Sequence, residues 1–160
     1  MTQKDPFRPV DDSARILARD LLSHAHHAAL AILRPETATP SVTRIALATD
    51  ALSRPISLIS TLAEHTRALQ ANPACALLIG EPGDKGDPLT HPRLTLHCTA
   101  QLIDRDSKDH ATLRDLYLSK RPKARLYADF ADFSYVCFDI SSGLLNGGFG
   151  KAWRLAPGDL

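Results

Sequence analysis

Cysteine is scarce in this chain and unpaired: its three thiols, Cys75, Cys98 and Cys137, lie far apart and none belongs to a Cys-x-x-Cys pair. Each sits in an apolar run, where cysteine behaves as a small buried hydrophobe, which argues against zinc, a dithiol redox centre and a disulfide framework. No charge of one sign dominates, with 19 Lys and Arg against 18 Asp and Glu, so no global field favours nucleic acid or an anionic membrane. No apolar run approaches the ~20 residues of a membrane span. The opening Met1-Thr2-Gln3-Lys4-Asp5-Pro6 is not a signal peptide, and a reducing, cytoplasmic setting is expected. The length of 160 residues suits a single domain that needs no metal or disulfide staple. Residues 1–10 carry three charges and two prolines and are expected to be a flexible lead-in to a domain over 11–160.

What is present is organised around Ile56 to Pro73. A short apolar strand, Ile56 to Thr61, runs into Thr61-x-x-Glu64, the pattern of a reciprocal helix cap. The helix is expected to stop near Asn72, because Pro73 has no N–H and pushes its neighbour out of the α region. Two hydroxyls, an imidazole and a guanidinium lie within a turn of the helix start, a corner that suits an anion. Capping alone would also account for Ser60, Thr61 and Glu64.

Upstream, Asp11 or Asp12 offers an N-cap to an amphipathic helix ending near His24, with Ala14, Leu17, Ala18, Leu21, Leu22 and Ala25 at helical spacing. The cluster His24-x-His26-His27 invites a metal or haem reading, but no second motif completes a site, and polar histidines suit a helix end. Ala28 to Leu33 reads as a buried strand. Val42 to Ala48 reads as another, with Arg44 projecting alongside Val42 and Ala46, opposite Thr43, Ile45 and Leu47. Such an arginine either snorkels at a rim or holds a fixed anion.

Downstream, Ala74 to Ile79 is a strand and Gly80 to Pro92, with three glycines and three prolines, a long surface loop. Arg93 to Ile103 alternates as a long antiparallel strand with His97 on its polar face. Ser107 can cap a helix bearing Ala111, Leu113, Leu116 and Tyr117. The basic cluster Lys120-Arg121-Pro122-Lys123-Ala124-Arg125 reads as a solvated face. Phe133 to Ile140 is a strand with Tyr135 and Cys137 facing away from Val136 and Phe138. In the closing segment from Gly143 to Trp153, Asn146-Gly147 suggests a hairpin turn. The remaining glycines permit close approach to a flat ligand, with Phe149 or Trp153 as an apolar wall.

Taken together, Leu62-Ala63-Glu64-His65-Thr66-Arg67-Ala68-Leu69, Pro92-Arg93-Leu94-Thr95-Leu96 and Gly147-Gly148-Phe149-Gly150-Lys151-Ala152 give the chain a resemblance. From Ala14 to Ala152 it resembles the pyridoxamine 5'-phosphate oxidase-like flavoproteins, and more narrowly their haem-utilisation-related branch. The resemblance implies a mainly β, α+β fold: an antiparallel split β-barrel that binds FMN at the interface of a homodimer. Matched by position, Arg44, Ile45 and Ala46 would lie along the flavin and its phosphate. Ser60 and Thr61 would meet the cofactor at a strand end, and His65, Thr66 and Arg67 at the phosphate helix. Arg93 would reach the flavin ring from the partner subunit, and Gly148 and Phe149 would lie against the ring.

The chain also departs from the family pattern. The Ser-Arg-Lys common among the oxidases is here Ala63-Glu64-His65, and their C-terminal Trp and Arg pattern has no match, which argues against pyridoxamine phosphate as substrate. Haem-utilisation relatives often continue into a C-terminal domain with a haem-binding histidine, so haem degradation does not carry over to a sequence ending at Leu160. The expectation is an FMN-dependent oxidoreductase acting on a small molecule, no motif naming the substrate or electron donor. The alternative is a non-catalytic flavin- or haem-binding protein.

Overall fold

The computed structural model describes residues 5–160. Its first helix, α1 (Asp12–His24), starts where Asp11 Oδ1 accepts the Ala14 N–H at 2.9 Å. It buries Ala14, Ala18 and Leu22, one side chain per turn. Eight strands follow in one antiparallel sheet: β1 (His27–Leu33), β2 (Pro40–Ala46), β3 (Ala48–Thr49), β4 (Pro55–Ser60), β5 (Ala74–Ile79), β6 (Arg93–Leu102), β7 (Phe133–Asn146) and β8 (Ala152–Leu155). Their order is β2-β1-β5-β6-β7-β4-β3, with β8 added beside β7. The remaining helices are α2 (Glu64–Ala71) and α3 (Lys108–Lys120). This is the split β-barrel architecture that the resemblance implied.

Two apolar clusters form on opposite faces of β7. Val136 and Phe138 join the barrel interior with α1, α2 and the inner faces of β1, β5 and β6. Tyr135 and Cys137 pack on α3 with Leu113, Tyr117 and Leu118. The alternation read along this strand therefore holds, both faces being buried.

β7 is longer than expected, continuing past Ile140 to Asn146. The register steps from Cys98↔Ile140 to His97↔Ser142, so Ser141 is an extra residue, and its hydroxyl donates to the His97 carbonyl at 3.0 Å. A bulge thus carries the strand through Ser141, Ser142 and Gly143, past the end expected at Ile140. β7 then turns at Asn146-Gly147 into β8, which confirms the hairpin, while Trp153 is 4% exposed and belongs to the core rather than to a ligand wall.

The expected capping box at Thr61 and Glu64 does not form. The N-cap of α2 is Ala63, without a side-chain cap bond. The Thr61 N–H instead donates to the Asp132 carbonyl at 2.7 Å, and Glu64 accepts from Arg34 at 2.8 Å. Partners distant in sequence have outcompeted the local pair. The C-terminal expectation holds, with α2 closed at Asn72 before Pro73.

Two cations of the basic cluster are structural rather than solvated. Lys120 Nζ donates to the Thr49 carbonyl at 2.6 Å. The Arg121 guanidinium bonds the carbonyls of Leu47 at 2.7 Å and Ala25 at 3.1 Å. The described part of the expected flexible lead-in, from Asp5 onward, lies along β8: Arg8 N–H donates to the Ala152 carbonyl at 2.8 Å, and Arg154 covers the Phe7 ring at 3.9 Å. The rest of the lead-in, residues 1–4, lies outside the described residues. No helix among the described residues is long and apolar enough to cross a membrane.

Candidate functional site

Two of the clefts along the β1–β2 ladder gather residues singled out from the sequence. The smaller, about 280 Å³, gathers Arg44, Ile45 and Ala46 from β2, Ser60 from the end of β4, and His65 from α2. Five of the residues singled out from the sequence therefore converge. Tyr127 and Phe133, which the sequence did not flag, form the aromatic wall of this cleft, with ring centroids 4.9 Å apart. Neither lies in a motif; only the return of β7 beside β4 brings them there.

The charge state of this corner follows from its partners. Arg44 is exposed at the centre of β2, and its guanidinium makes no hydrogen bond or ion pair among the described residues. Burial pushes the His65 imidazole below its ordinary value, against the pull of the neighbouring Glu64 carboxylate, and so favours a neutral ring. The hydroxyls are largely committed elsewhere. Ser60 Oγ donates to Asp132 Oδ2 at 3.0 Å, and the buried Thr66 hydroxyl donates to the Ser60 carbonyl at 2.5 Å. Thr61 and Arg67 are exposed and do not line the cleft.

Arg93, Gly148 and Phe149 lie at another end of the sheet. Arg93 pairs in register with Asn146, at the root of the β7–β8 hairpin, and its Nη1 donates to the Leu89 carbonyl at 3.2 Å. Gly148, at φ +115°, backs onto Thr90, and a Cβ there would sit 3.1 Å from the Thr90 carbonyl oxygen. Phe149 projects from the hairpin tip, 71% exposed.

Arg93 belongs instead to the larger cleft, about 490 Å³, between the end of α1, β1 and the loop following β5. Its floor is apolar, with Ala29, Leu78 and Ile79, and its walls carry His24, His26, His27 and His91. His27 Nε2 lies 3.0 Å from Glu81 Oε1. His91 is spent on its own loop, accepting from the Gly83 N–H at 3.2 Å and contacting the Lys85 carbonyl at 2.8 Å. Gly80 turns the chain into this loop at φ +98°, where a Cβ would stand 2.5 Å from the Pro92 carbonyl oxygen, a contact that excludes any other residue.

The two clefts adjoin. Arg44 pairs with Ala29 and Ala46 with His27, and residues in register on neighbouring strands share a face. The sequence did expose the three histidines of the 24–27 segment, and His24 stands at the end of α1 with its ring facing Asp20. The opposite wall comes from the loop over 80–92, too far along the chain for any local pattern to reveal.

No family model matches the chain. It is 45% identical over 98 residues to the chloroplastic non-canonical haem oxygenase HOZ of Arabidopsis thaliana, a match spanning 61% of this chain and 28% of that protein. A solved chain of similar length is 44% identical with a TM-score of 0.84, covering 95% of this chain and 97% of that one. A haem-binding protein from Mycobacterium smegmatis is 26% identical with a TM-score of 0.82, covering 94% of this chain and 61% of that one. This chain thus spans less than two-thirds of the length of both named relatives. For the fold alone, a pyridoxinephosphate oxidase-family protein of Clostridium acetobutylicum, 17% identical, superposes with a TM-score of 0.70 over 94% of this chain and 99% of that one. Architecture, strand order and these superpositions agree: the chain has the split-barrel fold of the pyridoxamine 5'-phosphate oxidase-like proteins.

Proposed function

We propose that the protein binds haem in the larger cleft and serves haem utilisation. The observation that carries this reading is an apolar cleft walled by imidazoles with an arginine at its edge. Its volume of about 490 Å³ lies within the ~300–1,000 Å³ of small-ligand sites. The donor set fits the group. Among the described residues no three His, Cys, Asp or Glu side chains gather to cage a bare metal ion. A macrocycle that brings its own ring nitrogens needs only one imidazole from the protein. Arg93 at the cleft and Arg44 beside Ala29 are placed to meet carboxylate substituents, for which guanidinium forks are suited. The names of the Arabidopsis and Mycobacterium relatives support the same ligand. Bound haem would supply an iron centre for electron or oxygen chemistry; the protein residues seat it, orient it and set its surroundings.

A second copy of the chain would complete the site. The outer sheet face beside the cleft is built of Ala29, Ala31 and Ala76, with Leu78 and Val42 45% and 66% exposed, an apolar surface suited to a twofold partner. Hemin titration of the purified protein should give a saturable Soret band at one haem per chain. A spectrum that remains that of free hemin would overturn the proposal.

The smaller cleft favours a second reading, FMN bound through Arg44 and His65 with Tyr127 and Phe133 against the ring, as an FMN-dependent oxidoreductase would require. Saturable quenching of FMN fluorescence that is lost in Arg44→Ala would support it, and unquenched FMN would refute it.

A further inference from the structure

We infer that His24 would supply the imidazole that holds haem iron in the histidine-lined cleft, with Asp20 as its positioning residue. This rests on the haem reading above and adds the protein atom that meets the iron.

The argument starts from the tautomer. His24 Nδ1 lies 3.0 Å from the Asp20 main-chain carbonyl and 3.1 Å from Asp20 Oδ1, both acceptors only. Ser23 Oγ is 3.3 Å from the same nitrogen, but its proton goes to the Asp20 carbonyl at 3.1 Å. Nδ1 is therefore the donor, and in the neutral form of the ring the lone pair belongs to Nε2, the outer nitrogen. A metal-binding histidine is typically held this way, donating its other N–H to a carboxylate or carbonyl, which fixes the ring and raises its basicity.

The other histidines of the cleft are less suited. His91 has both ring nitrogens engaged by its own loop. His27 offers its outer nitrogen to Glu81, leaving only Nδ1, the nitrogen next to its own main chain. His26 has no partner among the described residues to fix either its ring or its tautomer. His24 alone combines a position on the cleft wall, a held Nδ1–H and an open Nε2. Its side chain is 78% exposed, so its removal leaves the core intact.

The test is hemin titration of the full chain and of His24→Ala, His26→Ala and His27→Ala, followed by absorbance and electron paramagnetic resonance. His24→Ala should bind hemin about tenfold or more weakly, lose the ferric–imidazole signature, and regain it on addition of free imidazole. His26→Ala and His27→Ala should keep that signature. In Asp20→Ala the iron–histidine stretch of the ferrous complex should move to lower frequency with the melting temperature unchanged; an unmoved stretch would remove the Asp20 carboxylate from the assignment, the main-chain carbonyl being kept in this variant. If the wild type binds hemin and His24→Ala keeps its spectrum and affinity, the ligand assignment is overturned and the haem reading stands. If the wild type itself fails to bind hemin, both fall.

Discussion

Replacing Arg121 by alanine should destabilise the protein far more than replacing the exposed Lys123 of the same cluster, because this guanidinium ties three elements together. It donates to the Leu47 carbonyl, between β2 and β3, at 2.7 Å, and to the Ala25 carbonyl, just past α1, at 3.1 Å. A third bond, to the exposed Lys120 carbonyl at the end of α3, is discounted because water can replace it. Hydrogen bonds to a charged group are worth ~1.5–3 kcal/mol each. With partial replacement by water, the loss should be about 3 kcal/mol. For a chain of this size that corresponds to roughly 6–12 °C in melting temperature. Thermal and urea unfolding followed by circular dichroism measure it, with Lys123→Ala as the control. Lys123 is exposed, makes no hydrogen bond among the described residues, and should shift stability by less than about 0.5 kcal/mol. Arg121→Lys should restore only part of the loss, since an ammonium lacks the fork that spans two carbonyls. If Arg121→Ala and Lys123→Ala melt together, the bonds to Leu47 and Ala25 contribute nothing and the reasoning fails. Because Ala25 stands between His24 and His26, hemin affinity should fall in Arg121→Ala even well below its melting temperature.

Burial pushes the thiols of Cys75 and Cys137 up to about 11 and that of Cys98 up to about 12. At pH 8 the thiolate fraction is therefore roughly a thousandth or less. A colorimetric disulfide reagent should find no fast-reacting thiol in the folded protein and all three after denaturation in guanidinium; a prompt native reaction would contradict this burial. His65 gives a pH dependence. Its folded pKa is depressed by burial, so its contribution to stability is complete above the unfolded value near 6.5 and is lost as pH falls through 6.5 toward the lower folded value. His65→Gln should flatten the decline in stability between pH 7 and pH 5, and an unchanged slope would show that another group is responsible.

What could be read from the sequence was what adjacent residues decide. Apolar alternation placed Arg44 with Val42 and Ala46 on an exposed face and separated Tyr135 and Cys137 from Val136 and Phe138. Pro73 ended α2 where its missing N–H required. The errors share a cause, competition from partners distant in the chain. Thr61 and Glu64 match a capping pair, yet Asp132 and Arg34 engage them first. Lys120 and Arg121 look like surface charge until the strand ends present unpaired carbonyls. Cys75 and Cys98, remote in sequence, lie directly opposite each other on β5 and β6. The Arg44 corner was visible because β2, β4 and α2 follow closely along the chain, whereas the histidine cleft needs a loop that arrives much later.

The same competition bears on which ligand each cleft prefers. A phosphate dianion at the start of α2 would meet Glu64 in the first helical turn, a neutral His65 in place of a cation, and the hydroxyls of Ser60 and Thr66 already donating elsewhere. Like charges ~4 Å apart repel by about 4 kcal/mol at an effective dielectric of 20, and the Arg34 ion pair with Glu64 offsets only part of that. Arg44 would then carry most of the attraction alone. The larger cleft requires no buried dianion: its floor is apolar, one imidazole is already oriented, and Arg93 stands at its edge. A planar, largely apolar ligand with peripheral carboxylates faces a smaller desolvation cost there than a flavin phosphate faces beside Glu64. Glu64→Lys should therefore strengthen FMN binding at the Arg44 corner while leaving hemin affinity unchanged. Equal effects on both ligands would mean that the two clefts act as one site.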